Sequence, residues 1–272
     1  MLKLLSLFFC LFYLFLISDA DAVQPPSQRL AISFILPENL LHGTSEITLP
    51  PDTGTTIHFG DLTTIGVSIN GKMADLPEDD PTGMEIKPLA SEQKITITYE
   101  KKFTGSEHMP AAVSEKGIAL TGFWHPVLDR DTLFELTAKI PSHFEAVSEA
   151  EEIITTQNPG GKEVRFHFPY PVRSLNFIAG PYVVEQVPFG ENKTLYTYFF
   201  SEDQHLAASY REKTLGYLAR YEALLGPYPY TRFSVVENRF PTGYAMPTFT
   251  LLGQVVLRLP FIQDTSLGHE VL

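Results

Sequence analysis

Cysteine is almost absent from this 272-residue chain, whose one thiol, Cys10, sits inside an apolar run near the N-terminus. Beyond that run no disulfide can form, so an exported product must be held by core burial or by a bound metal. Basic residues are also scarce, 20 Lys and Arg against 32 Asp and Glu, giving a formal charge of -12. Binding a phosphate backbone needs clustered cations, and their shortage argues for no nucleic-acid partner. A Gly-rich phosphate loop, a Gly-x-Ser-x-Gly elbow, internal repeats and low-complexity segments are all missing. What is plentiful is apolar material, 44% of the residues, enough for a large buried core. The acidic groups Glu78, Asp79, Asp80 and Glu149, Glu151, Glu152 read as solvated surface.

Residues 4–17, LLSLFFCLFYLFLI, follow Lys3 and lead to Ala20-Asp21-Ala22, the small-x-small pattern of a signal-peptidase site. The run is short for a bilayer span. Residues 1–22 are therefore expected to be a secretory signal. The expected destination is the periplasm or the extracellular space, with no stable membrane span after cleavage. Asn192-Lys193-Thr194 fits the glycosylation acceptor pattern, which matters only in a eukaryotic secretory pathway.

From Arg29 to about Phe200 short runs with period-two alternation are separated by turn residues. Examples are LAISFIL (30–36), KITITYE (94–100), TLFELTAKI (132–140), EVRFHF (163–168) and TLYTYFF (194–200). Asn70-Gly71 predicts a tight hairpin, because both residues tolerate positive φ, and Asn158-Pro159-Gly160-Gly161 predicts another reversal. Many short strands at roughly ten-residue spacing fit an all-β sandwich or saddle-like domain.

After residue 200 the period changes. Ser201 and Gln204 have capping-box spacing, and Leu206, Tyr210, Tyr217, Leu218, Tyr221, Leu224 and Leu225 recur at three- and four-residue intervals as a core-facing stripe. Gly226-Pro227 ends this helix of about six turns. Strands are expected at FSVVEN (233–238) and TLLGQVVLRL (250–259), then a new helix from about Asp264. The expected division is a mainly β domain over 23–188 and the start of an α+β domain over 189–272.

The last residues, SLGHEVL (266–272), carry the chemistry. On a helix, His269 and a His at the position following Leu272 would stand four apart, one turn from each other, close enough to reach one Zn²⁺. Glu270 beside them is placed to take a proton from the attacking water. His125 and His167 lie on β segments with no second ligand at metal spacing and read as packed or surface histidines.

GPYPYTRFSVVENRFPTGYAMPTFTLLG (226–253) followed by LGHEVL (267–272) resembles the aminopeptidase N and leukotriene hydrolase family of gluzincin zinc metallopeptidases. FWHPVLDRDTLFELTAKIPSHFEAVSEAE (123–151) and FIAGPYVVEQ (177–186) resemble that family's N-terminal β-saddle domain, so the resemblance covers nearly all of the chain after the signal. It implies a saddle-like domain followed by the beginning of a thermolysin-like catalytic domain. By resemblance His269 is the first zinc ligand, Glu270 the general base, and Gly243, Tyr244, Ala245 and Met246 a substrate-binding edge strand for a peptide or other small-molecule substrate.

The family's second His would be residue 273, and its third ligand and a stabilising tyrosine lie further on. The chain as given is therefore expected to hold zinc weakly and to be inactive, as the N-terminal part of a cut peptidase. Pro247 and Thr248 stand where the family's amine-binding Glu and its Asn are expected, which puts ordinary aminopeptidase specificity in doubt. Glu237 is the other carboxylate nearby and reads as a strand-end residue. The competing expectation is a secreted, non-catalytic β-rich protein that binds a peptide or a protein. Leu252, Val255, Val256, Leu257 and Leu267 are expected to be exposed where later helices would cover them.

Overall fold

The computed structural model describes residues 24–76, 82–104, 112–239 and 243–259. The expected signal, the acidic run at 78–80, the helix expected from Asp264, and with it Leu267, His269 and Glu270, lie outside the described residues. In chain order the strands are β1 (Ser27–Ile35), β2 (Leu40–Leu49), β3 (Thr55–His58), β4 (Thr63–Ile69), β5 (Lys72–Ala74), β6 (Gly83–Ile86) and β7 (Gln93–Lys102). They continue with β8 (Ala112–Ser114), β9 (Gly117–Leu120), β10 (Val127–Leu128), β11 (Leu133–Ile140), β12 (Glu145–Ser148), β13 (Glu152–Asn158), β14 (Gly161–His167) and β15 (Phe177–Gly180). The last group is β16 (Tyr182–Phe189), β17 (Lys193–Phe200), β18 (Arg232–Asn238), β19 (Gly243–Ala245) and β20 (Phe249–Gly253). Helix α1 spans Ala207–Leu225 and the short α2 spans Gln254–Leu257.

Four sheets result, and the order of the first is β13-β14-β11-β1-β2-β7-β4-β5. Alternation in the sequence becomes alternation of burial: Leu30 and Ile32, Ile95, Ile97 and Tyr99, and Phe134, Leu136 and Ala138 all point into one core. β1 and β11 pair in parallel, while the other pairs are antiparallel. The two hairpins expected from turn chemistry are present. Asn70 and Gly71 have φ of 52° and 76°, the signs of a type I′ turn. Gly160, at φ 94° after Pro159, closes the turn between β13 and β14.

The small sheet β12-β15-β9-β8 is buried on both faces. Period two divides its side chains between two cores: Ile118, Leu120, Phe177 and Ala179 pack toward the first sheet, while Ala119, Val147 and Ile178 pack toward the last. A strand in such a layer needs apolar residues at every position, as IAL and FIA show. The remaining small sheet is β10-β3-β6.

The last sheet, β16-β17-β18-β20-β19, has a parallel centre of β17, β18 and β20 with an antiparallel strand at each edge. The chain leaves the third sheet at Gly180 and enters this one at Tyr182, and residues 190–192 form the turn of the β16–β17 hairpin. Parallel β17 and β18 need a crossover, which α1 supplies. One sheet face, with Tyr198, Phe200, Val236, Phe249 and Leu251, meets the third sheet, and the other, with Leu195, Phe199, Val235 and Leu252, meets α1 through Ala207 and Tyr210.

Several expectations fail here for identifiable reasons. No capping box forms: Ser201–Leu206 is a 3-10 turn without a side-chain cap, and Gln204 Nε2 donates instead to Glu185 Oε1 at 2.5 Å. The helix stripe is core only near its start. Tyr210 is buried, whereas Tyr221, Leu224 and Leu225 are 40%, 68% and 83% exposed. TLLGQVVLRL is not one strand, since β20 ends at Gly253 and Gln254–Leu257 coils into α2. Leu252 and Leu257 are covered by α1 and not exposed, while Val255 is 68% exposed as expected. Glu149 is not a solvated charge. Its carboxylate accepts from the Asn176 backbone N–H at 3.0 Å and from the Asn176 side chain, and burial, outweighing those bonds, pushes its pKa up.

Candidate functional site

Ligands of open α/β sheets bind outside the carboxyl ends of the strands. Here those ends belong to β17, β18 and β20, with β19 on the outer flank. Gly243, Tyr244 and Ala245 make up β19 and pair only with β20, as Gly243 with Leu252, Tyr244 with Leu251 and Ala245 with Thr250. All three are exposed, and among the described residues the far edge of β19 carries no strand. Met246 is half-buried against the Tyr198–Phe249 core, and its N–H donates to Phe249 O at 2.8 Å. The Gly-Pro-Tyr-Pro-Tyr turn fixes the exit of this strand: Tyr228 Oη reaches Pro247 O at 2.8 Å and Arg232 O at 3.1 Å. Of the four residues expected to bind substrate, Gly243, Tyr244 and Ala245 thus form one edge strand, the geometry that an extended segment can pair with, and Met246 lies just beyond it.

Beside that edge lies a group of side chains that sequence reasoning did not assemble. Glu237, read as an ordinary strand-end residue, is fully buried at the end of β18. Its Oε2 accepts from the Phe200 N–H at the end of β17 (2.7 Å), and its Oε1 accepts from Gln254 Nε2 at the start of α2 (2.7 Å). Asp203, from the 3-10 turn after β17, faces Glu237 and is held by Arg258, with Nε 2.9 Å from Oδ1 and Nη2 2.7 Å from Oδ2. Glu202 takes Arg239 Nη1 at 3.0 Å.

Burial and then the Asp203 carboxylate push the Glu237 pKa up to about 8. Burial works against charge on Asp203 too, but the Arg258 fork and the Glu237 hydrogen bond outweigh it and hold its pKa below the usual carboxylate range. Burial and the neighbouring carboxylate thus favour the neutral form of Glu237, while Arg258 favours charge on Asp203. The only sequence signal was position: acidic residues directly follow two strand runs.

Among the described residues no three His, Cys, Asp or Glu side chains converge to hold a metal, and the acidic group above is engaged by arginines and Gln254. The zinc expectation rests on His269 and Glu270, which lie outside those residues. His125 is fully buried, with Nδ1–H donating to Pro126 O at 2.8 Å and Nε2 accepting from the Leu175 N–H at 3.4 Å. Burial pushes its pKa down to about 4, so it is a neutral packing residue between Trp124 and Phe134. His167 is exposed on β14. No helix among the described residues is long and apolar enough to cross a membrane.

The chain matches no protein-family model and no curated protein sequence. Solved structures do share its fold. An M1 zinc metallopeptidase from Deinococcus radiodurans superposes with a TM-score of 0.64 at 14% identity, over 88% of this chain and 63% of that one. A two-domain M1 zinc metallopeptidase variant bound to L-arginine gives 0.63 at 16% identity, over 87% and 61%. Aminopeptidase A from Legionella pneumophila, in complex with aspartic acid, gives 0.71 at 14% identity, over 87% and 31%. This chain thus spans less than two thirds of the length of the structures it matches. Its mainly β architecture is that of the N-terminal β domain of such peptidases.

Proposed function

We propose that this chain is the N-terminal portion of an exported zinc metallopeptidase of the aminopeptidase N type. In this reading residues 23–188 form the saddle-like domain and residues 189–272 begin the catalytic domain, with hairpin β16–β17 shared between them. The observation that carries the proposal is the free edge of β19, set beside the carboxyl ends of three parallel strands in a fold shared with M1 peptidases. A peptide substrate would add to that edge through main-chain hydrogen bonds, with Tyr244 beside it.

His269 would be a zinc ligand and Glu270 the general base, and the metal would supply Lewis-acid activation of water. Pro247 offers neither charge nor an N–H donor, and its carbonyl is taken by Tyr228, so it cannot replace a carboxylate that grips a free α-amine. Peptide binding without strict selection of the N-terminal residue follows.

Zinc titration of the purified chain, with and without His269→Ala, tests the metal assignment. One imidazole lacks the three protein ligands of a catalytic site, so both should bind weakly and alike. Tight binding that depends on His269 would contradict the account of an incomplete ligand set. The coding DNA beyond codon 272 supplies the second test: a His at the next position and a downstream Glu support the reading, and their absence from every frame refutes it.

A further inference from the structure

Arg232 opens β18 with only 7% of its surface exposed, and period two sets it on the same face as Ser234 and Val236, the face that meets the third sheet. Its guanidinium lies 4.5 Å from the centre of the Tyr196 ring, and Nη2 donates to Tyr198 Oη at 3.2 Å. Among the described residues nothing accepts from the buried Nε–H, and no carboxylate forms an ion pair with this side chain. Ser234, fully buried two positions on, has a hydroxyl that is equally without a partner. The Tyr198 oxygen is the acceptor in its bond to Arg232, which leaves its own hydrogen to donate elsewhere.

The acidic groups nearby are already engaged. Glu145 of β12, close enough to act on Tyr198, is paired with Lys162, and Glu151, which acts on Tyr228, accepts from both the N–H and the hydroxyl of Thr231. Lys193, at the start of β17, is paired with Glu222. On the other side of β18, Thr248 O takes the Ser234 N–H at 2.9 Å, and the Thr248 hydroxyl donates to Ser148 O. The third sheet contributes Ala119, Val147 and Ile178 to this core, side chains without an acceptor. One positive charge therefore stands buried without a counter-charge, which the Tyr196 ring offsets only in part. A water molecule could accept the spare hydrogens but would leave the charge uncompensated, whereas an anion answers both needs.

We propose that Arg232, Tyr198 and Ser234 form a binding site for one small monovalent anion of halide size. Arg232 supplies the charge and the Nε–H, and the Tyr198 and Ser234 hydroxyls supply two further hydrogens. Arg232 and Tyr198 keep 7% and 6% of their surface exposed, a narrow approach that admits a halide and turns away a large organic anion. The ion ties the entry of β18 to β17, at the opposite end of the strand from Glu237, and needs neither zinc nor peptide.

Chloride tests the site on the purified chain, with sodium gluconate, too large to enter, keeping the ionic strength constant and urea as an uncharged denaturant. Replacing gluconate by chloride should raise the urea midpoint along a saturable curve. At about ten times the half-saturating concentration the folding equilibrium gains about tenfold, a rise of about 0.5 M. Arg232→Gln should abolish the response, and Ser234→Ala and Tyr198→Phe should each weaken half-saturation by about tenfold. Broadening of the chloride NMR line by the native chain, absent with Arg232→Gln, reads binding without unfolding. Should Arg232→Gln fail to fold, the two milder variants decide. Equal native midpoints in chloride and gluconate, a response shared by every folded variant, or no excess broadening refutes the site and leaves the spare hydrogens to water.

Discussion

Gly43 lies within β2 directly opposite Tyr99 of β7, and replacing it with alanine asks whether the ring needs that gap. A methyl group at Gly43 would stand 2.2 Å from Tyr99 Cζ, 2.5 Å from its hydroxyl and 2.6 Å from Cε1. Carbon atoms pack best at about 3.5–4.0 Å, so the ring has to retreat by more than roughly 1 Å. Tyr99 has no exposed surface, and its neighbours Ile97 and Leu41 have none either, so the retreat has to take place within the core.

Overpacking of this kind costs about 1–3 kcal/mol, against about 0.5–1 kcal/mol recovered by removing a glycine from a strand. With a 2.2 Å approach placing the cost at the upper end of that range, a net loss of about 2 kcal/mol is expected for Gly43→Ala. With a urea slope of about 2–3 kcal/mol per molar, the unfolding midpoint should drop by about 0.7–1 M. Trp124, the single tryptophan, is fully buried with Nε1–H donating to Leu175 O at 2.7 Å, and its emission reports the transition.

Tyr99→Leu removes the atoms that clash, so Gly43→Ala in that background should be milder by about 1 kcal/mol or more. Tyr99→Phe keeps Cζ and should give no relief, although loss of a buried hydroxyl without a protein partner makes it neutral or slightly stabilising alone. An unchanged midpoint for Gly43→Ala, or strict additivity with Tyr99→Leu, would refute the packing argument.

Two buried groups set opposite pH limits on stability. His125, at about 4 against an ordinary 6.5, contributes stability above about pH 6.5 that is lost as pH falls toward 4, about 3 kcal/mol in all. Glu237, at about 8 against 4.5, contributes below about pH 4.5, and that contribution is lost as pH rises toward 8. Between about pH 4.5 and 6.5 the slopes oppose, so urea midpoints should plateau there and decline on both sides. Glu237→Gln should flatten the alkaline limb, and a midpoint that rises steadily from about pH 5 to pH 8 would contradict the Glu237 assignment. Tyr228→Phe removes the bonds to Pro247 O and Arg232 O. It should speed exchange of the Met246 amide with a global loss of only about 1 kcal/mol, and unaltered exchange would show that the turn does not anchor β19.

The residues whose meaning depends on near neighbours could be read directly. KITITYE and TLFELTAKI alternate, and they are strands β7 and β11 with alternate side chains in one core. Asn70-Gly71 tolerates positive φ at both positions, and it is a hairpin. TLLGQVVLRL failed because an apolar run fits strand or helix equally. The choice fell to Gln254, whose amide reaches Glu237 only if the chain turns inward after Gly253. The stripe on α1 failed in its last two turns because amphipathicity shows which face is apolar and not what covers it.

By itself the sequence determined the β-rich class, the principal hairpins and the stop at Gly226. Those follow from side-chain period and from φ preferences that each residue carries with it. Only the tertiary structure decided that β1 pairs in parallel with β11, that the small sheet separates two cores, and that Glu237 meets Asp203. Such pairings join residues distant along the chain, and sheet order, which no local pattern encodes, brings two carboxyl groups together in a place without water to separate them.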